Sequence, residues 1–528
     1  MTSNDPGIEQ DARSIRPSRP AGERLEALAE QFGLSSDAPE AALQTLVTGA
    51  TLDSRDVRRG DLYLALPGAR RHGAEFAAQV EAQGASAILT DEAGAALAEA
   101  AGVELPVLVA PGDPRAIAGA VSATVYGTAR LGAKVFGITG TNGKTSIVYL
   151  LAELMRAAGL KTGLSSTAER RVGDTVITSS LTSPEAPELH GLLARMIEQQ
   201  VEGIAIEVSA HATARHRIDG VNFDVVAFNN FSRDHLDDFG DMETYFAAKL
   251  ALFAPEHAKQ AVVVVDGPYG QRIARESKIP VTTLATEYGV NADWHLAITS
   301  QNLDGVSFVL QGPGGAHFRG SVPVFGRFMA ENAALALIML HQAGISIERV
   351  AAGLSGGRIP VYIPGRLEAI NPEAPLDRAP RFYVDYGHTP GSFEATLDAL
   401  AEVSPGRILF MFGADGDRDT DKRGEMGRIA AKGSDVVIIC DYHPRSEPPE
   451  AIRAQLIEGA LSANHAEVLE VPYARDAIRR AISLADPGDV ILYAGPGHED
   501  FQEVAGAQLA YSARDEVRGA LREAGMLE

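Results

Sequence analysis

The sequence predicts an α/β protein of three domains: a small N-terminal α/β domain, a central domain with a phosphate loop on a parallel sheet, and a C-terminal Rossmann-like domain. Three observations predict it. The chain has 528 residues, too many for one core, and ~150 residues per domain divide it into about three. Apolar runs of strand length alternate with helical stretches from end to end, the pattern of parallel strands covered by helices. One such run, AKVFGIT, passes through a glycine turn straight into a helix from about Lys144, as a strand feeding a phosphate-binding loop does.

Taken in order, residues 1–24 are polar and read as a mobile tail. They lack the apolar stretch of a signal peptide, which predicts a cytoplasmic protein. Across 25–130 the runs DLYLAL, SAILT and VLVA alternate with alanine-rich helical segments and give the first domain. Within 131–360, GIAIEVS, FDVVAFNN and QAVVVVD follow AKVFGIT; uninterrupted apolar runs of this kind belong to strands buried on both faces. Residues 283–325, richer in glycine and short strand-like runs, predict an antiparallel excursion before the helix ENAALALIMLHQAG. The glycine and proline cluster LSGGRIPVYIPGR marks a hinge. Beyond it RFYVDY, RILFMFG, DVVIIC and DVILYAG build the third domain over 361–528.

Composition excludes several classes of function. Hydrophobic residues make up 45% of the chain and charged residues 22%, and no apolar run approaches the ~18 residues of a membrane span. The net charge of -23 repels phosphate backbones, which argues against nucleic acid as a partner and requires any anionic ligand to meet a local positive site. The one cysteine, Cys440, rules out an internal disulfide and a thiolate zinc cluster, and it reads as core within DVVIIC.

Chemistry concentrates in the central domain. In GITGTNGKTS, Gly140 and Gly143 give a turn whose amides can face phosphate, Lys144 can neutralise it, and Thr145 can offer a hydroxyl to Mg²⁺. The strict GxxxxGK[ST] pattern has glycine where this chain has Ile138, so the loop is a variant. Glu207 closes GIAIEVS at the strand end, where a carboxylate meets a phosphate loop and can serve Mg²⁺. His235 follows another strand, in NNFSRDHLD. In METYFAAKLALF, Met242, Tyr245, Phe246, Lys249, Leu250 and Phe253 share one helical face. Lys249 therefore points at the core, where a bare ammonium is costly or gives up its charge. Periodicity alone leaves a lysine snorkelling to the rim of the core as the plain explanation.

Lys144, Glu207, His235 and Lys249, in this order and with the segments around them, resemble the Mur ligase family of peptidoglycan synthesis from about residue 50 to 503. GITGTNGKTS is similar to the family's ATP loop, LTSPE to its substrate loop, EVSAH to its metal-glutamate segment, and FSRDHLDDFGDMETYFAAK to its metal and carbamyl-lysine segment. PGRLE, VDYGHTP and GADGDRDTDKR are similar to its later nucleotide and amino-acid motifs. The resemblance implies an ATP-dependent amide ligase. Such an enzyme phosphorylates the D-glutamyl side-chain carboxylate of UDP-N-acetylmuramoyl dipeptide, and a free diamino acid then displaces phosphate from the acyl phosphate.

Carried to this chain, the resemblance implies a nucleotide site of Thr141, Asn142, Gly143, Lys144, Thr145 and Ser146, with Asn332 at the adenine and Arg366 and Asp385 arriving from the third domain. It implies one Mg²⁺ at Thr145 and Glu207 and a second at His235. It also implies a Lys249 carbamate (N6-carboxylysine), formed with CO₂, that bridges toward the metal and replaces a buried cation by an anion. Ser54, Thr182, Ser183, Ser209 and Arg217 match positions that hold the UDP-sugar peptide, with residues 25–130 as its domain. Arg418, His443, Arg445, Gly495 and Glu499 match the pocket for the incoming amino acid. A monomer is expected.

The amine pocket departs from the family pattern. The usual Asp-Asn-Pro-Arg of enzymes using meso-diaminopimelate reads YHPR at 442–445, and Gly-Lys-Gly-His-Glu reads GPGHE, with Pro496 in the lysine position. Arg445 and Glu499 still suit a ligand end carrying both carboxylate and ammonium, so meso-diaminopimelate is preferred, with L-lysine, ornithine or diaminobutyrate open. Arg215 stands where glutamine is common, and Met329 where asparagine is. Two other readings are a ligase for another peptide-like bond, of folylpolyglutamate or cyanophycin type, and a non-catalytic nucleotide-binding module. TLDSR and LTSPE speak against the first, and the retained Lys144, Glu207, His235 and Lys249 against the second.

Overall fold

Residues 15–178 and 181–527 are described by the computed structural model, and they fold around three large sheets. In the first, β1 (Gly49–Thr51), β2 (Asp61–Leu64), β3 (Ala87–Thr90) and β4 (Val107–Val109) lie side by side in chain order, all parallel. Helix α1 (Pro114–Tyr126) closes this domain; Asp113 caps its start by accepting from Arg115 N–H, and Gly127 ends it at φ 67.

Residues 15–24 of the tail expected over 1–24 are anchored to the fold. Arg16 is buried and its Nη1 donates to both carboxylate oxygens of Asp61, at 2.8 and 2.7 Å. Ile15 packs on the core of the central domain, Ser18 Oγ donates to Glu198 at 2.6 Å, and Glu23–Arg24 pairs with Leu46–Val47. Polar composition concealed this anchoring, because one buried ion pair and a short ladder do the work of an apolar run. Residues 1–14 of the expected tail lie outside the described residues.

The central sheet holds eleven strands among the described residues. They are β5 (Lys134–Thr139), β6 (Thr162–Ser165), β7 (Glu169–Val172), β8 (Thr175–Thr178), β9 (Gly203–Glu207), β10 (Val225–Phe228), β11 (Ala261–Val264), β12 (Val281–Ala285), β13 (Trp294–Asn302), β14 (Gly305–Gln311) and β15 (His317–Val322). Their spatial order is 8-7-6-9-5-10-11-12-13-14-15. Strands 6 to 13 of that row pair in parallel, and antiparallel ribbons extend both ends. The expected antiparallel excursion is β13–β15. Helices α2 (Lys144–Ala157) and α5 (Arg327–Gln342) cover one face, and α3 (Ala186–Glu198) and α4 (Met242–Leu250) the other. Both faces are thus dry, which explains the continuous apolar runs.

The third sheet runs β16 (Glu368–Ala369), β17 (Arg381–Asp385), β21 (Val490–Ala494), β18 (Ile408–Phe412), β19 (Val436–Ile439), β20 (Glu467–Glu470), parallel except for β16. Cys440 is buried at the end of β19, its thiol pushed up to about 12 by burial.

Candidate active site

The site forms at the carboxyl ends of β9, β5 and β10, neighbours at the middle of the central sheet, where open α/β sheets bind ligands. A cavity of about 890 Å³ lies there, walled on the far side by the third domain. The loop from β5 to α2 bends at Gly140 (φ 154) and Gly143 (φ 85). A Cβ at Gly143 would stand 2.5 Å from Asn229 Nδ2 and 2.8 Å from Asn332 Oδ1, so the position needs glycine for space as well as for its left-handed backbone. Helix α2 begins at Lys144 and turns its unpaired N–H groups and positive dipole end toward the cavity.

Positive charge is gathered around this loop. Lys144 Nζ donates to Gly140 O at 3.0 Å and Thr141 O at 2.8 Å. Burial lowers its pKa, with Glu207 and Asp234 pulling it back up. Lys249 is 1% exposed; its Nζ donates to the same Gly140 O at 2.8 Å and sits 4.5 Å from the centre of the Tyr245 ring. Burial first, and then Lys144, push its pKa well below that of a free lysine. From the third domain Arg366 Nη2 donates to Thr145 Oγ1 at 3.2 Å, its guanidinium 4.1 Å over Tyr386. Two lysines and an arginine crowded on one loop disfavour one another's charge, and a bound polyphosphate would favour their charged forms.

Metal donors face them. Glu207 ends β9 fully buried, with Thr167 N–H donating to Oε1 at 3.0 Å and Thr167 Oγ1 to Oε2 at 2.9 Å. His235 holds a left-handed backbone (φ 54), and burial drives its imidazole down to about 4, so it is neutral at pH 7 and free to ligate. His211, His235 and Asp238 each present a ligand atom, all within 4.8 Å of one another. Carboxylate and hydroxyl oxygens at Glu207 and Thr145 with one neutral imidazole fit Mg²⁺.

The third domain supplies the rest. Asp385 ends β17 and accepts the N–H groups of Leu367 at 2.9 Å and Gly387 at 2.8 Å, fixing the segments that carry Arg366 and His388. Glu499 accepts from Tyr386 Oη at 3.2 Å, Tyr442 Oη at 2.6 Å and His443 Nε2 at 2.9 Å. Burial raises the Glu499 carboxyl, but hydrogen bonds from His443 and Tyr442 outweigh it and leave the pKa below the usual range. Arg445, at φ 52, donates from Nη2 to Asp415 Oδ1 at 3.2 Å, with Nε 3.4 Å from Glu503 Oε2.

Residues 141–146, Thr182, Glu207, Ser209, Arg217, His235, Asn332, Arg366, Asp385, Arg418, His443, Arg445 and Glu499 line this cavity together. Four expected site residues do not. Ser183 is buried behind it, its Oγ donating to Glu207 O at 2.9 Å. Lys249 lies beneath the phosphate loop. Gly495 (φ 115) turns the chain below Tyr442 and donates its N–H to Asp385 O at 3.0 Å. Ser54 follows β1 in the first domain, where its carbonyl accepts from Gln79 Nε2 at 3.1 Å. Asn332, expected at the adenine, also accepts from Asn229 Nδ2 at 3.0 Å. The sequence motifs contain Asp234, His211 and Tyr386 without marking them as site residues, and Thr167 is a lone loop threonine without any pattern; Tyr442, expected in the amine pocket as part of YHPR, lines the cavity.

Fold and site together define a three-domain α/β enzyme whose phosphate loop is completed by residues from its C-terminal domain. Comparison with known proteins narrows the class. Residues 138–340 match the Mur ligase middle domain, 365–497 the Mur ligase glutamate ligase domain, and 46–116 the Mur ligase family catalytic domain. The UDP-N-acetylmuramyl-tripeptide synthetase of Leifsonia xyli is 52% identical over 516 residues, 97% of this chain and 99% of that one. The UDP-N-acetylmuramoyl-L-alanyl-D-glutamate–2,6-diaminopimelate ligase of Streptomyces coelicolor is 40% identical over 511 residues, 96% and 98% of the two chains. A solved structure of a ligase of that same name superposes with a TM-score of 0.64 at 27% identity, covering 96% of this chain and 99% of the other. The chain belongs to the Mur ligase family.

Proposed function

We propose that the protein is an ATP-dependent ligase that joins a diamino acid to the D-glutamyl side-chain carboxylate of UDP-N-acetylmuramoyl-L-alanyl-D-glutamate during peptidoglycan precursor synthesis. One observation carries the reading: a phosphate loop with the half-buried Lys144, and Arg445 and Glu499, suited to a zwitterionic ligand end, face a single cavity. Relatives whose names state this reaction support it.

In this reading Lys144 and the start of α2 hold the ATP phosphates, and Arg366 and Asp385 bring the third domain onto the nucleotide. One Mg²⁺ at Thr145 and Glu207 and a second at His235 would offset the negative charge that builds on oxygen as phosphate moves to the glutamyl carboxylate. Burial pushes the Lys249 pKa well below that of a free lysine, which favours the amine whose nitrogen lone pair adds to CO₂ with loss of one proton, giving a carbamate anion that a metal would balance. Thr182, Ser183, Ser209 and Arg217 hold the dipeptide near the loop, and residues 25–130, with Ser54, take the UDP-sugar. The amine attacks the acyl phosphate carbonyl, and phosphate leaves. Arg445 and Glu499 receive the distal end, for which meso-diaminopimelate is preferred, and a cytoplasmic monomer suits soluble substrates.

The test is phosphate release by the purified chain with ATP and Mg²⁺. Release is expected only when UDP-muramoyl dipeptide and a diamino acid are both present, with the tripeptide product identified by mass. ATP turnover indifferent to every UDP-muramoyl peptide would overturn the reading.

A further inference from the structure

We propose that Tyr442 and His443, acting through Glu499, make the distal ammonium of the incoming amino acid its obligatory recognition element, with the distal carboxylate secondary; this rests on the ligase reading above. The hydrogen bonds assign the protons. Glu503 N–H donates to His443 Nδ1 at 2.8 Å, so that nitrogen is an acceptor and the ring proton sits on Nε2. His443 is therefore the neutral tautomer that donates from Nε2 to Glu499 Oε2 at 2.9 Å. Tyr442 Oη donates to the same oxygen at 2.6 Å, and Tyr386 Oη to Oε1 at 3.2 Å.

Two consequences follow from this cage. Both lone pairs of Oε2 are taken, and Oε1 keeps one for a ligand. All three partners of Glu499 are uncharged, and among the described residues no lysine or arginine lies in ion-pair contact with it. A largely buried anion held only by neutral donors lacks its counter-charge, and a substrate ammonium supplies it. The opposite holds at Arg445. It already faces Asp415 at 3.2 Å and Glu503 at 3.4 Å, so a ligand carboxylate has to share a guanidinium that two carboxylates balance. Of the other cations on this wall, Arg418 is 3.8 Å from Asp237, Lys422 lines the cavity, and Arg366 stacks on Tyr386 and donates to Thr145 Oγ1 without ion-pair contact to Glu499. Tyr442 and His443 replace the two acidic or amide positions of the family pattern, so the cage is a property of this chain's YHPR segment.

Three amines offered to the full chain with ATP, Mg²⁺ and UDP-muramoyl dipeptide separate the two ends: meso-diaminopimelate, L-lysine, which lacks the distal carboxylate, and 2-aminopimelate, which lacks the distal ammonium. The analogue without the distal ammonium is expected to show a KM about 100-fold above that for diaminopimelate, the loss typical of removing one partner of a buried charge pair, with lysine within about tenfold. If the enzyme uses this analogue and diaminopimelate equally well, the proposal is overturned. Tyr442→Phe is expected to raise the diamino acid KM about tenfold while kcat and the KM for ATP stay put, and His443→Gln, which keeps a donor, is expected to retain selectivity that His443→Phe loses. A preference for lysine over 2-aminopimelate that is unchanged in both phenylalanine variants also overturns it. Absence of amide product from all three amines sinks the ligase reading and this proposal with it.

Discussion

Lys249 and Lys144 share one carbonyl, Gly140 O, and that shared acceptor organises the charge of the site. No carboxylate makes an ion pair with Lys249 among the described residues, and burial pushes its pKa well below that of a free lysine. Lys249→Ala is expected to lose activity at least about 100-fold and to regain part of it with added short carboxylic acids, measured as phosphate release. Full activity in the alanine variant would return Lys249 to the snorkelling explanation. Lys144→Met should separate function from stability. Activity is expected to fall about 1000-fold, yet thermal unfolding should stay level or rise, because an apolar side chain replaces an amine that burial disfavours. A sharp fall in unfolding temperature would show that Lys144 holds the loop together. At this scale the sequence exposed Lys249 through its helical stripe and Glu207 through its strand end. It placed Tyr442 in the amine pocket but not on Glu499, 57 positions away, and it did not expose Thr167, whose partner Glu207 lies 40 positions away.

The element that decides the site is the β5 turn into α2. Its helix starts at Lys144, as the glycine spacing predicts, and its strand is apolar because helices cover both sheet faces. Gly143→Ala has to adopt φ 85 and push Asn229 and Asn332 apart. The expected result is a loss of about 1–3 kcal/mol in unfolding free energy with nucleotide binding weakened further, read by calorimetry with ADP. Wild-type binding in this variant would mean the loop does not cradle phosphate. The strands that carry the site were legible because they are buried on both faces. β20 was not: Glu467–Glu470 is an edge strand with exposed charged ends and no apolar run. β16 is two residues long, too short for any periodicity.

At the scale of the whole molecule, the three-domain architecture was readable but the junctions were not, because they are built from single polar pairs. The Arg16–Asp61 pair is one. Another is His190 on α3, where the first domain meets the central one. Helix α1 comes so close that a Cβ on Gly119 would stand 2.2 Å from Asp219 O. His190 lies in this seam fully buried, its Nε2 donating to Asp219 O at 2.9 Å and its Nδ1 accepting from Thr128 Oγ1 at 2.6 Å, just past the end of α1. Both ring nitrogens are committed to the neutral form. Burial pushes the pKa from 6.5 down to about 4, with Asp219 opposing. Because the folded value is the lower one, the unfolded chain binds a proton between pH 6.5 and 4 that the folded chain does not. Stability is therefore complete above pH 6.5 and is lost progressively as pH falls toward 4, by about 3 kcal/mol from this histidine. His190→Gln keeps the donor to Asp219 O but cannot take the proton. Unfolding followed from about pH 7.5 to 4 should show a shallower decline in the variant by one proton's worth of slope. Equal slopes would mean that the seam accommodates the imidazolium and that the first domain stays docked in acid.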